Sequence, residues 1–436
     1  VTASGSGRLD RFNARRAVDV PPPVERVRRT VLPSGLRVVT DHIETARSAT
    51  VAVWAAVGGR DEPDELAGAS HFLEHLLFKG TDERDARSIS QDIDGVGGDM
   101  NAFTSSEHTT YYARVPAGAI EMATDLLLDV VARPALRPAE LEGERRVILE
   151  ELAAVDDDPD DLVGIRLFEG LFPDHPLGRE VLGTEETIES LTRDDVYGFF
   201  EQWYRPNNLV VVAAGLIDHD ELVESVASRF DEHAVGGAPT RSAPAHDVIA
   251  RTVEERPVEL VHLALAWRAV PSAHPDRFAL AALNQILGAG PSSRLFQEVR
   301  EERGLAYGIS SSVGHHVDAG AMTVSCSTTP KNAAEVLDVI RTEIARLAEH
   351  GPTAKEVELA KGALRGGLLL AMEDSATRMM RLGNAETMRG GSIPVATHLE
   401  LLAGVSEGDV GRLARSVLGS QEVLAVVGPK GTSKAV

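Results

Sequence analysis

Ala69-Ser70-His71-Phe72-Leu73-Glu74-His75-Leu76-Leu77-Phe78 is the stretch on which the reading of this chain turns. No Pro or Gly falls between Ser70 and Lys79, and Ala, Leu, Glu and Phe dominate, so a helix is predicted. On a helix His71 and His75 stand one turn apart on one face, and Glu74, three residues after His71, shares that face. Two imidazoles so placed can grip one tetrahedral Zn²⁺ at about 2.0–2.1 Å each, with a carboxylate beside the open position where water binds. The order His-x-x-Glu-His is the inverse of the better-known His-Glu-x-x-His. An amphipathic helix can also carry two surface histidines and a glutamate with no metal. A third ligand elsewhere in the chain is therefore the test.

The long helix predicted over residues 138–155 (PAELEGERRVILEELAAV) offers Glu140, Glu142, Glu144, Glu150 and Glu151. Glu144 and Glu151 are seven apart and share one face two turns apart. Apolar Val147, Ile148 and Leu152 lie around that face, which predicts that it turns toward the core. A carboxylate on such a stripe needs a partner, because burying it unpaired is costly, and a metal provides one. Glu150 points about 100° away and reads as solvent-facing. Glu151 is expected as the third ligand, its alternative being an ordinary helix-surface charge. Glu144 is expected to hydrogen-bond a ligating His or its water. Two His, one Glu and a water make a catalytic zinc site, one per chain. Glu74 would then take the water's proton and hand it to a leaving amine, which is peptide hydrolysis.

The chain has 436 residues, 43% of them hydrophobic and 25% charged, enough for two or more domains. No run of eighteen apolar residues predicts a membrane span. Forty-four basic against 67 acidic residues give a net charge of −23, which argues against nucleic acid or anionic membranes as partners. The single cysteine, Cys326, excludes an internal disulfide framework and fits a cytoplasmic setting. Residues 1–29, polar and carrying the run Pro21-Pro22-Pro23, read as a flexible leader.

Apolar runs such as ATVAVWAAV (49–57) and NLVVVAAG (208–215) alternate with amphipathic helices. A helix is predicted over 292–302. The expected fold class is α+β: two similar domains, each a mostly antiparallel β-sheet packed with helices, related by a degenerate duplication. The first, 30–232, carries the zinc-binding residues. A Gly/Pro/Ser-rich linker at 233–249 joins it to the second, 250–436. Overlaying the halves sets His71–Gly80 on Ala281–Gly290 and Glu151 on Gly367, so the second half keeps the shape and lacks the metal-binding groups.

HFLEHLLFKGT (71–81), NAFTSSEHTTYYA (101–113) and SSRLFQEVREERGLAYGISS (292–311) together resemble the pitrilysin/insulinase family of zinc metallopeptidases, with the catalytic subunit of mitochondrial processing peptidase and its bacterial relatives the nearest likeness. The resemblance runs from about Arg29 to Pro429. It implies zinc ligands at His71, His75 and Glu151, the catalytic base at Glu74 and the auxiliary glutamate at Glu144. It implies an edge strand at Asn101, Ala102 and Phe103 that pairs with the substrate backbone. Phe78 matches the residue lining the pocket just after the scissile bond. Arg300 and Tyr307 match a pair that holds the substrate carbonyl from a facing domain, as a guanidinium and a phenol can. It further implies a closed chamber of four such domains, hence a homodimer, or a heterodimer with a related chain, acting on short unstructured, basic peptides. Processing subunits carry two carboxylates at positions where this chain has Asp161 and Ile165, which weakens the expectation of an arginine near the cut. Competing readings are a non-catalytic subunit of the same fold and a zinc hydrolase of small molecules. His315 and His316 read as ordinary strand or loop residues, and His108 as a candidate neighbour of the site.

Overall fold

The continuous apolar runs become strands buried on both faces. A computed structural model describes residues 21–230 and 235–436. Most of the expected leader, and the first two residues of the expected linker, lie outside the described residues. The first sheet holds β1 (Val27–Val31), β2 (Arg37–His42), β3 (Ser48–Ala55), β4 (Asp99–Thr104), β5 (Thr109–Pro116) and β6 (Leu209–Gly215), in the order β1-β2-β6-β3-β5-β4. The second holds β7 (Arg251–Glu255), β8 (Val261–Ala269), β9 (Ala306–His315), β10 (Gly320–Thr328) and β11 (Val423–Gly428), in the order β7-β11-β8-β10-β9. Apart from β1, the two orders correspond strand for strand. Each sheet has one parallel pair, β2 with β6 and β7 with β11, among antiparallel neighbours.

Period-two alternation explains those apolar runs. In β3, Val51, Val53 and Ala55 face one core, while Ala52 and Trp54 face another. In β6, Leu209, Val211 and Ala213 face the first core, and Val210, Val212 and Ala214 the second. A sheet covered on both sides selects apolar residues at every position.

What covers the second face is the finding that a linear division into halves did not foresee. Helix Ser375–Arg389 comes from the second half, yet its Met379 and Leu382 pack with Ala52, Trp54, Val210 and Val212 of the first sheet. Reciprocally, helix Pro159–Leu171 of the first half sets Leu162, Val163 and Leu167 against Ala264, Ala266, Val423 and Ala425 of the second sheet. The two halves exchange one helix each. Gly383 makes the exchange possible: a Cβ there would meet the Trp54 ring at 2.1 Å. Gly383→Ala is expected to cost about 1–3 kcal/mol from overpacking, read as a lowered urea midpoint. An unchanged midpoint would show that this helix is not held tightly.

Other differences are local. β1 starts at Val27, inside the stretch expected as leader, and pairs with β2 through Val31↔Arg37. Of the helix predicted at 292–302, residues 294–302 are helical, with Phe296–Glu302 in wide π geometry. Strand β7 and helix Val395–Ala403 had no clear sequence signal.

Candidate metal centre

Helix Ala69–Leu77 is fixed at its first turn. Gly68 precedes it at φ 93°, a left-handed conformation in which a Cβ would also meet the Leu182 carbonyl oxygen at 2.6 Å. The buried Glu62 carboxylate accepts hydrogen bonds from Gly68 N–H (2.8 Å) and Ser70 N–H (2.6 Å), two groups the helix leaves unpaired. Burial pushes the Glu62 carboxyl up to about 7, against those bonds and nearby Arg179. Phe72, Leu73, Leu76 and Leu77 are buried in the core, which turns His71, Glu74 and His75 to the opposite side.

The long helix Pro138–Asp157 crosses beside it with Leu141, Glu144 and Ile148 buried. The Glu151 carboxylate oxygen stands 3.7 Å from His71 Nε2 and 3.6 Å from His75 Nε2. One ligand atom from each residue lies within 4.8 Å of the others. These groups converge without reaching hydrogen-bond distance of one another, which suits a cation between them. A tetrahedral metal with bonds of about 2.0–2.1 Å needs donor separations of roughly 3.4 Å. Two imidazole nitrogens and a carboxylate oxygen form a donor set that fits zinc. Burial, then the neighbouring His75, holds the His71 imidazole down to about 4, so it is neutral and able to ligate at neutral pH. Its Nδ1 is buried without a partner among the described residues.

Glu144 Oε2 lies 3.1 Å from His75 Nδ1, and Lys79 Nζ lies 2.6 Å from Glu144 Oε1. That chain orients the His75 ring and leaves its Nε2 toward Glu151. Lys79 follows His75 by four residues, just past the end of the helix at Leu77, a spacing that could have exposed it in the sequence. The Thr104 hydroxyl at the end of β4 donates to Glu74 Oε2. Burial raises the Glu74 carboxyl above the ordinary range, opposed by that hydrogen bond. No pattern in the sequence flagged Thr104 or Glu62, because each acts across a turn or between elements.

The stripe expected to face the core on the long helix does so only in part. Val147 is exposed, and the Glu151 side chain is 43% exposed, so the face they share is not core-facing along its length. Ile148 is the last fully buried residue of the long helix, with Leu149 and Leu152 partly buried against the first core. Beyond it, Glu151 looks across an open side from which a ligand can approach.

Among the described residues β4 is an edge strand, paired only with β5. Asn101 is exposed, and its Oδ1 accepts the Ala102 N–H at 2.8 Å. The Phe103 ring turns away and stands edge-on to Trp54 at 6.1 Å and His108 at 5.8 Å. Phe78 lines a cleft of about 290 Å³ with Ile89, Ile93, Met100 and Asn101, next to that edge. Asp161, exposed, and Ile165 line a separate cleft of about 570 Å³ with Val155, Phe168 and His316. His316 is therefore a lining residue of a cleft. His108 bonds Ser105 Oγ at 3.1 Å and lies 4.9 Å from Trp54, away from the three ligand candidates.

Arg300 and Tyr307 are not brought to this centre by any hydrogen bond, ion pair or ring contact among the described residues. Tyr307 is 86% exposed on edge strand β9, and the Arg300 guanidinium lies 4.9 Å from its ring and 4.8 Å from Phe296.

Comparison with known proteins places this geometry in context. The sequence model for insulinase (peptidase family M16) matches residues 37–185, which include every residue of the candidate metal centre. The model for the peptidase M16 inactive domain matches residues 190–364. An uncharacterized zinc protease of Mycobacterium leprae is 43% identical over 415 residues, covering 94% of this chain and 93% of that protein. One from Streptomyces coelicolor is 42% identical over 92% of this chain and 90% of its own length. One from Bacillus subtilis is 33% identical over 93% and 99%. In fold, a protease from Helicobacter pylori superposes with a TM-score of 0.86 at 22% identity, covering 93% of this chain and 100% of that one. No helix among the described residues is long and apolar enough to cross a membrane.

Proposed function

This chain belongs to the insulinase (M16) family of zinc metallopeptidases, and on that premise we propose that it is an endopeptidase of the His-x-x-Glu-His type, with one zinc per chain, that cuts short extended peptides. The observation that carries the reading is the convergence of His71, His75 and Glu151 beside a half-buried Glu74. Zinc held there would supply a Lewis acid and an acidified water at its open position. Everything else falls to the chain's own residues.

Glu74 accepts the proton of the attacking water and returns it to the leaving amine. Its raised carboxyl pKa brings it closer to neutral pH, where a base that must also act as an acid works best. Glu144, tied to Lys79, holds His75 in one orientation. A peptide adds to the edge of β4 as a further strand, displacing the Asn101 side chain from the Ala102 N–H. The side chain after the cut bond then enters the cleft under Phe78. Because Tyr307 lies exposed on the other sheet's edge, with the Arg300 guanidinium against its ring, the pair acts on substrate bound to a second copy, so the working form is a dimer enclosing the peptide. The net charge of −23 favours basic peptides.

The test uses quenched basic peptides with the protein's metal content measured in parallel. Chelation is expected to abolish cleavage, and one equivalent of zinc per chain to restore it. A zinc-loaded protein that cleaves no peptide, alone or at concentrations where it dimerises, would favour a non-catalytic subunit instead.

A further inference from the structure

The register that sets Glu151 on Gly367 also sets Asp158 on Asp374, and each of these aspartates N-caps an exchanged helix. It therefore pairs the Asp161 cleft with a second cavity in the other half. There Ala371 replaces Val155, Thr377 replaces Asp161 and Arg381 replaces Ile165.

This cavity, of about 380 Å³, inverts the charge of the molecule around it. Arg277, Arg381, Arg389, His315 and His398 line it, and no carboxylate among the described residues does. The rest of its wall is largely apolar, with Phe278, Leu368 and Ile393. Arg381 is bonded to Glu25 at 2.9 Å. Arg277 and Arg389 have no side-chain hydrogen bond or ion pair among the described residues, and Arg277 only lies over the Phe278 ring at 4.5 Å. The His398 ring stands edge-on to Phe278 at 5.0 Å. Burial and the mutual field of the three arginines hold His398 down to about 4 and lower Arg389. Arg277 and Arg389, partly buried near each other with no carboxylate of their own among the described residues, are held at a cost, and an anion entering between them relieves both desolvation and repulsion.

The geometry points to a binding site for one organic carboxylate carried on a short apolar body. Guanidinium forks match a carboxylate in two parallel bonds, and the apolar wall receives what is attached to it. A polyphosphate would satisfy the arginines but leave Phe278, Leu368 and Ile393 against polar groups. Two sources share this chemistry: a small free acid, and the C-terminus of a peptide ending in an apolar residue.

The experiment is isothermal titration of the full zinc-loaded chain carrying Glu74→Gln, which prevents turnover. The probes are 4-phenylbutyrate, its neutral amide, and a Leu-ended peptide as free acid and as C-terminal amide. Phenylbutyrate is expected to bind at least about tenfold tighter than its amide. The additional changes Arg277→Gln and Arg389→Gln should weaken it by about tenfold or more. Ala281→Phe fills the cavity without removing charge and should have the same effect; it decides the matter if the arginine variant fails to fold. A peptide acid that outbinds its amide and competes with phenylbutyrate identifies a peptide terminus as the source. Phenylbutyrate binding alone identifies a small acid. Equal binding of acid and amide, or acid binding untouched by these changes, as for a carboxylate bound at zinc, overturns the proposal.

Discussion

Glu74→Gln is expected to lower kcat for peptide cleavage by about 10²–10⁴-fold, the range of a lost general acid–base, while zinc content stays that of the unsubstituted protein. Glutamine keeps the size of the side chain and can still accept the Thr104 hydrogen bond, so the fold around helix Ala69–Leu77 is preserved. What it cannot do is take a proton from water. Glu74 is not among the three groups that converge as ligands, so metal binding does not depend on it. Steady-state kinetics with metal analysis separate the two effects. Loss of zinc together with activity would make Glu74 a ligand or a structural group. Retained activity would remove it from the chemistry altogether.

Arg60→Ala should destabilise the protein by about 3–5 kcal/mol, as expected when one partner of a buried ion pair is removed. Arg60 is buried, 2.5 Å from Glu107 Oε1, and holds both Asp318 oxygens at 2.7 Å. Glu107 sits in the turn between β4 and β5, and Asp318 follows β9 in the other half. Arg241 from the linker region bonds both Asp61 carboxylate oxygens and the Glu107 carbonyl oxygen, the last at 2.8 Å. Without Arg60 two carboxylates face each other, with Arg241 3.7 Å from Glu107 as the remaining cation. Arg60→Lys should recover only part of the loss, because an ammonium cannot form the paired bonds to Asp318. Denaturant unfolding measures this. A loss below about 1 kcal/mol, the value of a surface pair, would mean that the halves are held by the exchanged helices alone. Because the turn anchors the edge strand, KM for peptides should rise in the same variant.

The residues of the candidate metal centre were the most legible part of the sequence because their spacing is local. His71, Glu74 and His75 are placed by one helical period, and Glu144 and Glu151 by another. The direction in which Glu151 faces was not legible, since it depends on where one helix stops crossing another. The expectation of a core-facing stripe failed at Val147 for that reason. Lys79 was within reach of the same periodicity. Thr104 was not, because its place beside Glu74 depends on which strand lies at the sheet edge.

The sequence by itself determined the alternation of apolar strands and amphipathic helices, the duplication with its missing ligands, and the His-x-x-Glu-His constellation, all of which rest on short-range spacing. Only the tertiary structure decided that Ser375–Arg389 and Pro159–Leu171 each cross to the other half's sheet, that Arg60 bridges the halves, and that Arg277, Arg381, Arg389 and His398 surround one cavity. The physical reason is range. Backbone geometry repeats every two or 3.6 residues and leaves its imprint on neighbours in the chain. Residues brought together over hundreds of positions are selected by the shape and charge of what they meet, and a single sequence carries no period for that.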